Sequence, residues 1–316
     1  MTTSFEWTLP RGTIIRGKWK QGSYRVDRLL GEGANGKVFL VERERERMLY
    51  ALKIGSDTVD LQSEVNVLQS IARQKQKRSG GGSRTGAFLV DVDDFRGSDG
   101  KEHPFYVMRY IKGLTLGDYL VRNGKEWFPV VGFNLLGKLA ELHEAGWTFG
   151  DLKVENVLVG DYGRPELVDY GGATAFGKGV RQFTEIYDRG YWNAGTRTAD
   201  ASYDLFSFAV LCLQLHESRR LAQLSAGLLP QTRTPDELAK LAATSAALKP
   251  FSGWLRKALY GEFANAREAA AAWQQWMHRA GTVPASAPAP RWMKGLFAVS
   301  AAVLATTIYW LLRSAP

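Results

Sequence analysis

The chain has 316 residues, of which 45% are hydrophobic and 23% charged, so it suits one large two-lobed domain or two small ones and excludes wholesale disorder. Lysine and arginine exceed aspartate and glutamate by 41 − 32 = +9. This excess favours anionic partners such as nucleic acid, acidic lipid or acidic protein, although a solvated basic surface explains it equally well. The single cysteine, Cys212, excludes an intramolecular disulfide and is predicted to be a small core residue.

The first third of the chain predicts a sheet with one helix. Apolar alternation predicts five strands, and helical spacing predicts one helix at Asp60 to Arg73. The strands fall near 24–29, 37–41, 49–54, 88–93 and 105–110. The remainder predicts helices at about 116–121, 129–145, 203–216, 234–247, 251–260 and 265–279. A strand-rich part followed by a helical part predicts an α+β fold of two lobes with a site between them.

A glycine-rich segment lies between the first two predicted strands. Residues 31–38 have the pattern G-x-G-x-x-G-x-V, with glycines at Gly31, Gly33 and Gly36. Glycines let a backbone close over phosphate groups without side chains in the way. The same pattern occurs in dinucleotide-binding folds, but a helix should then follow. A strand is predicted here instead, which favours a phosphate-covering hairpin loop over a dinucleotide-binding fold.

A second polar constellation begins at Asp151. Lys153 follows two residues later and Asn156 five residues later, before an apolar strand-like segment. Asp169 supplies a further carboxylate. This spacing suits phosphoryl transfer, because the first aspartate can accept a hydroxyl proton, the lysine can stand by the moving phosphate, and the asparagine and second aspartate can hold a metal ion.

Together with Tyr50-Ala51-Leu52-Lys53, these motifs resemble those of the eukaryotic-type protein kinases, called Hanks-type kinases in bacteria. The resemblance implies a bilobal protein-kinase-like fold with ATP and Mg²⁺ (or Mn²⁺) as cofactors. It implies that Lys53 binds the α- and β-phosphates, that Asp151 is the catalytic base and that Lys153 stabilises the transferred phosphate. Asn156 and Asp169 would bind the metal. The lysine at 153 is similar to that of serine/threonine kinases and implies protein substrates that bear serine or threonine.

The resemblance also implies a helix partner for Lys53 and an adenine pocket. Glu64 is the predicted partner, because it shares a helical neighbourhood with Leu61, Val65 and Leu68; Asp60 is the competitor. The segment 107–111 would be the interlobe hinge, with backbone groups near Arg109 and Ile111 facing adenine. Taken singly, each residue implied to line the pocket is better explained by core packing; these residues are Leu30, Val38, Ala51, Met108 and Leu158.

The chain departs from the family pattern at several places. Gly150 stands where the family has an arginine that pairs with a phosphate on the activation loop, so we predict that loop phosphorylation does not switch activity. Tyr191 stands where a glutamate is expected, and the arginine partner of that glutamate is also missing from 261–263. Asp204 matches the aspartate that braces the catalytic loop.

The predicted kinase domain covers 12–280, with a first lobe at about 12–111 and a second at about 112–280. A Pro/Ala linker at 281–291 and a transmembrane anchor at 292–313 follow. Gly295 to Leu312 lacks charge and would be roughly 27 Å long as a helix, close to a hydrocarbon core; a buried helix is the alternative. Basic residues before it predict a kinase domain facing the cytoplasm at the cytoplasmic membrane. In this respect the chain is similar to a membrane-anchored bacterial group of the family.

Two basic segments suggest polyanion binding. One, Arg73 to Arg78, follows the predicted helix as a flexible basic loop and leads into a glycine-rich stretch; the other spreads over 11–28. Either would bind DNA or anionic lipid without sequence preference, and a polyanion would then stimulate the enzyme; the alternative is a solvated surface. Two other functions stay open: a pseudokinase that serves as a binding platform, and a small-molecule kinase.

Overall fold

The computed structural model describes residues 9–33, 35–44, 46–78, 88–181 and 184–279, with scattered positions between 299 and 313. The predicted two-lobed α+β architecture is confirmed within these residues. A sheet and one long helix make up the first lobe, and helices dominate the second.

The first lobe is an antiparallel sheet with a helix against it. Its elements are β1 (Ile14–Arg16), β2 (Ser23–Gly33), β3 (Gly36–Arg43), β4 (Met48–Gly55), α1 (Thr58–Arg78), β5 (Leu89–Arg96) and β6 (Glu102–Arg109). The strand order is β1-β2-β3-β4-β6-β5. Alternate residues such as Tyr24, Val26, Val41 and Leu52 are buried on one face, as the period of two requires.

Five strands were predicted in this lobe, and six are present. The missed strand, β1, has three residues, of which only Ile15 is buried. A segment this short cannot show an alternating pattern, so its pairing with β2 was not visible in the sequence.

The second lobe contains short strands near the cleft and six helices among the described residues. The elements are β7 (Leu114–Thr115), α2 (Leu116–Asn123), α3 (Phe128–Glu144), β8 (Trp147–Thr148), β9 (Val157–Val159), β10 (Pro165–Leu167), β11 (Thr174–Ala175), α4 (Ala201–Gly227), α5 (Pro235–Thr244), α6 (Ser252–Leu259) and α7 (Ala266–Arg279). Strands β10-β9-β7 form one small sheet and β11-β8 another. The strands at 147–175 bracket the predicted catalytic segment.

An aromatic cluster fixes the core of the second lobe. Trp273 is fully buried, stacks on Phe251 at 4.7 Å between ring centroids, and meets Phe128 and Phe208 edge to face. Its indole N–H donates to the carbonyl of Pro129 at 2.9 Å. These contacts join α3, α4 and α7 and so fix the helical core of the second lobe.

Helix α4 runs to Gly227, eleven residues beyond the predicted end at 216. The apolar run stops there, which is why the sequence predicted an end. The helix instead kinks at Glu217, whose φ of −132° is not helical, and then buries Leu221.

The predicted transmembrane helix is wrong for the part of the chain that the structure describes. None of the helices formed by those residues is long and apolar enough to cross a membrane. The positions 292–298 and the linker 281–291 lie outside the described residues.

Candidate active site

An ion cluster joins β4, α1 and the segment after β10, with Lys53 and Glu64 buried and Asp169 exposed. The ammonium of Lys53 lies 2.7 Å and 2.8 Å from the two carboxylate oxygens of Glu64 and 2.9 Å from Oδ1 of Asp169. Tyr106, which pairs with Lys53 across β4 and β6, donates its hydroxyl to Glu64 at 2.7 Å. Of the two predicted partners, Glu64 therefore pairs with Lys53, and Asp60 does not.

This cluster keeps Lys53 charged. Burial by itself lowers the pKa of a lysine, but the carboxylates of Glu64 and Asp169 outweigh burial and raise the pKa of Lys53 above its ordinary value. A fixed cation of this kind attracts phosphate oxygens.

The catalytic segment folds as an extended turn into a short 3-10 helix, Val154–Asn156. Lys153 Nζ lies 2.7 Å from Oδ2 of Asp151, and the side-chain amide of Asn156 donates to that oxygen at 3.0 Å and to the Asp151 carbonyl at 2.9 Å. Thr184 donates its hydroxyl to Oδ1 at 3.4 Å. The structure thus brings the three predicted residues together around one carboxylate and adds Thr184.

A second carboxylate accepts hydrogen bonds from the backbone of the catalytic segment. Asp204 of α4 accepts the backbone N–H of Phe149 at 2.7 Å and of Gly150 at 2.9 Å, which confirms the predicted brace. The Nε2 of His143 on α3 also donates to Asp204, at 2.8 Å. All four residues are buried, so the loop backbone is fixed before any ligand arrives.

The predicted metal ligands carry oxygen donors that fit a hard cation. Because the amide nitrogen of Asn156 is taken up by Asp151, its Oδ1 remains for a ligand, and Asp169 has a second oxygen beyond the one bound to Lys53. Asp169 adopts a left-handed backbone, φ 62°, which turns its side chain out of the strand direction. No group of three or more His, Cys, Asp or Glu side chains among the described residues could hold a metal alone. Mg²⁺ suits such a sparse set, because it takes one or two protein ligands together with substrate phosphates and water.

The predicted adenine pocket lies between β2, β3, β4 and β6. Ala51 and Met108 belong to one buried cluster, against which Leu30 and Val38 pack. Leu158 lies across the cleft on β9, half-buried. At the end of β6 the amide of Arg109 donates to the carbonyl of Phe88 at 2.8 Å. The backbone group of Arg109 that remains for the predicted contact with adenine is therefore its own carbonyl oxygen. Ile111 follows, half-buried, beyond the strand.

The glycine-rich segment is the hairpin between β2 and β3, with Gly33 paired to Gly36. Gly36 has φ +128°, and a Cβ there would overlap the carbonyl oxygen of Ile54. Nothing lies within 4 Å of a Cβ built at Gly31 or Gly33. The fold itself therefore requires glycine at 36, whereas at 31 and 33 glycine leaves room for a ligand.

The segment after Asp169 is tied to both lobes. Backbone bonds from Val180 to Arg197 (2.8 Å) and from Gly177 to Ala199 (2.9 Å) fold it back on itself. Arg181 forms an ion pair with Asp60 at the start of α1, so the rejected partner of Lys53 has another role. This contact was not visible in the sequence, because 121 positions separate the two residues.

Several site residues escaped the sequence reasoning. Thr184, Tyr106 and His143 each donate to a carboxylate that was predicted, namely Asp151, Glu64 and Asp204. Their hydroxyl or ring groups occur in ordinary strand, helix and loop positions. Only the three-dimensional contact distinguishes them.

Comparisons with known proteins agree with this geometry. The protein kinase domain family matches residues 24–252. The serine/threonine-protein kinase YabT of Bacillus subtilis (strain 168) is 36% identical over 268 residues, which cover 84% of this chain and 75% of that protein. The motifs at 149–153, 187–192 and 202–206 of this chain resemble those of YabT in particular.

Other relatives share a smaller part. PknE of Mycobacterium bovis is 34% identical over 49% of this chain, and PrkC of Bacillus subtilis is 27% identical over 51%. The matches span 26% and 24% of those two proteins. The solved structure of vaccinia related kinase 3 shares the fold, with a TM-score of 0.59 and 18% identity over 88% of this chain and 94% of that one. The family match and the 36% identity to YabT show that the chain belongs to the Hanks-type serine/threonine protein kinases.

Proposed function

We propose that this kinase transfers the γ-phosphoryl group of ATP to serine and threonine hydroxyls of proteins. In the transfer, the hydroxyl oxygen forms a bond to the γ-phosphorus, the bond from that phosphorus to the oxygen of the leaving ADP breaks, and Asp151 accepts the hydroxyl proton. Lys53 holds the non-transferred phosphates, and Lys153 neutralises charge on the group in transit.

One observation carries this proposal, namely the set of three side chains directed at Asp151. Lys153, Asn156 and Thr184 each lie within hydrogen-bond reach of its carboxylate. A substrate hydroxyl that replaces the weak 3.4 Å contact from Thr184 would stand beside both the base and the Lys153 ammonium. The carboxylate is nearly buried, which strengthens these interactions.

The divalent cation of the family would be held by Asn156 and Asp169. When bound, it neutralises charge on the phosphate oxygens. The protein's own contribution is to keep the oxygen of Asn156 and one oxygen of Asp169 turned toward the cleft, through the contacts of Asn156 with Asp151 and of Asp169 with Lys53.

The test is transfer of radiolabel from ATP to a general protein acceptor, followed by phosphoamino-acid analysis. We expect label on serine and threonine, lost by about a thousandfold or more in Asp151→Asn and in Lys53→Met. Nucleotide binding should survive in Asp151→Asn. Binding without transfer in the wild type would instead establish the pseudokinase, and label on small molecules alone would establish the small-molecule kinase.

We also propose that a polyanion such as DNA raises the activity. Helix α1 carries Glu64 in the cluster with Lys53, and its last turns carry the exposed Arg73 and Lys77. An anion bound there would act on the helix that holds Glu64. The other basic segment supports the proposal less, because Arg11, Lys20 and Arg25 pair with carboxylates of the same lobe.

This second proposal predicts a stimulation that disappears with salt. The initial rate should rise with duplex DNA at 50 mM salt and fall back at 300 mM, since counterion release governs such binding. Arg73→Gln together with Lys77→Gln should abolish the rise and leave the basal rate unchanged. An equal stimulation in that double variant would contradict the role of α1.

A further inference from the structure

The tip of the glycine-rich hairpin carries a side chain that turns into the cleft. Asn35 is half-buried, whereas the neighbouring Gly31, Glu32 and Gly33 are exposed. Its carbonyl accepts the amide of Ser56 at 3.5 Å, and the next residue, Gly36, is fixed against β4. The first lobe thus sets the position of Asn35.

The Asn35 side chain reaches the motif that follows Asp169. A Cβ built on Gly171 would overlap the amide nitrogen of Asn35 and lie 3.2 Å from its Cγ. The same Cβ would lie 3.3 Å from Oε1 of Glu64, which is bound to Lys53. The amide therefore lies beside the ion cluster of the active site, and Gly171 must lack a side chain to admit it.

The side-chain amide of Asn35 is free to donate a hydrogen bond to a ligand. Within the described part of the chain its side chain has no hydrogen-bond partner, while Lys53 is shared between two carboxylates. A neutral N–H₂ group that is half-buried and unpaired gains most from an anionic acceptor.

The direction of the hairpin indicates which phosphate group of ATP would accept a hydrogen bond from Asn35. Leu30 and Val38 pack at the adenine end, and the hairpin runs from there to the Gly33–Gly36 turn. At about 3.3 Å per residue, Asn35 lies on the order of 10 Å beyond Val38. Val38 pairs with Lys53, the predicted ligand of the α- and β-phosphates, so Asn35 lies beyond those two phosphates on the side where the γ-phosphate would follow.

We propose that the Asn35 side-chain amide is a catalytic residue that donates a hydrogen bond to the γ-phosphoryl oxygens of ATP. It thereby distinguishes ATP from ADP. This inference rests on the proposed use of ATP. Gly171 serves it by leaving space for the amide.

Calorimetric titration with Mg²⁺ and either ADP or the non-hydrolysable β,γ-imido analogue of ATP tests the inference without turnover. In Asn35→Ala the Kd of the analogue should rise about tenfold, and in Asn35→Asp more, because a carboxylate repels the phosphate. The Kd of ADP should stay within about twofold in Asn35→Ala. The matched control is Asn66→Ala, on the exposed face of α1, which should change neither value.

Equal weakening of both nucleotides in Asn35→Ala would overturn the inference, because the amide would then serve only the loop. Tighter binding of the analogue would overturn it as well, since the side chain would then occupy phosphate space. If the wild-type protein binds neither nucleotide, the proposed use of ATP itself fails, and the inference about Asn35 fails with it. Thermal melting of each variant confirms that it is folded.

Discussion

Gly150 and Gly172 approach each other so closely that a Cβ on Gly150 would overlap the carbonyl oxygen of Gly172. Gly150 also has φ +77°, a left-handed backbone that side chains rarely adopt. Its amide is bound to Asp204 at 2.9 Å, so the backbone cannot easily turn away. The residue that replaces the family's arginine is thus a fixed point between the catalytic segment and the segment after Asp169.

We therefore predict that Gly150→Ala lowers both stability and kcat. The left-handed backbone alone costs about 1–2 kcal/mol for a residue with a Cβ, and the overlap with Gly172 adds to this. Gly146→Ala is the matched control, because Gly146 has φ +83° but nothing within 4 Å of a built Cβ. Urea unfolding and initial rates of both variants provide the measurement. Equal losses of stability with an unchanged kcat would show that the contact with Gly172 has no consequence.

The ion pair between Arg181 and Asp60 binds the segment after Asp169 to α1 and requires no phosphate group. Arg181 is mostly exposed and Asp60 partly buried, so the pair itself is worth under about 1 kcal/mol. It nonetheless joins the segment to the helix that carries Glu64.

We predict that phosphatase-treated enzyme keeps its initial rate, because Gly150 offers no cation for a loop phosphate.

A double-mutant cycle tests the attachment separately. Arg181→Gln and Asp60→Asn should each lower kcat a few-fold, and the double variant should be no worse than either. Asn66→Asp, an exposed change on the same helix, is the control. Additive losses would mean that the two residues act independently, and loss of activity on phosphatase treatment would sink the first prediction.

The pairing of Lys53 with Glu64 could be predicted from the sequence, because the resemblance of residues 50–53 to the family motif implies the role of Lys53 and helical spacing favours Glu64 as its partner. The sequence also showed that Tyr191 replaces a glutamate and that the expected arginine is gone from 261–263. It could not show the replacement contact. The guanidinium of Arg233 lies 3.9 Å from the centroid of the Tyr191 ring, and the tyrosine hydroxyl lies 2.7 Å from Ser225 Oγ.

An ion pair near that position was equally hidden from the sequence. Asp188 is buried and binds Arg197 at 2.6 Å and the Tyr203 hydroxyl at 3.0 Å. Nothing in the local pattern of either residue indicates the other, because the contact depends on how the segment 174–200 folds back. The same reason hid the pair of Asp60 and Arg181. Long-range contacts between irregular segments are what the sequence leaves open.

The contact between Tyr191 and Arg233 should contribute measurably to stability. We predict that Arg233→Met lowers the free energy of unfolding by about 1 kcal/mol, because it removes a cation held over an aromatic face while retaining the aliphatic stem. In a Tyr191→Leu background the same change should cost clearly less. Urea unfolding of the four proteins gives the coupling, and a coupling near zero would assign no role to the ring.

His216 should make the protein sensitive to acid. Its two ring nitrogens are buried and have no partner among the described residues, and the ring lies edge to face with Phe128 at 4.8 Å. Burial, aided by the charge of Lys125, lowers the pKa of His216 to about 4. The neutral ring is thus favoured in the folded state, so its contribution is complete above the unfolded pKa of about 6.5 and is lost as pH falls toward 4.

Because the shift spans about 2.5 pH units, the loss attributable to His216 approaches about 3 kcal/mol between pH 7 and pH 4. Replacing His216 with leucine, which can still pack against Phe128, should flatten the fall in unfolding free energy by that amount. The exposed His278→Leu is the matched control and should keep the wild-type acid dependence. Unfolding in urea at half-unit pH steps measures all three proteins. Parallel curves for His216→Leu and the wild type would show that the buried ring does not resist protonation.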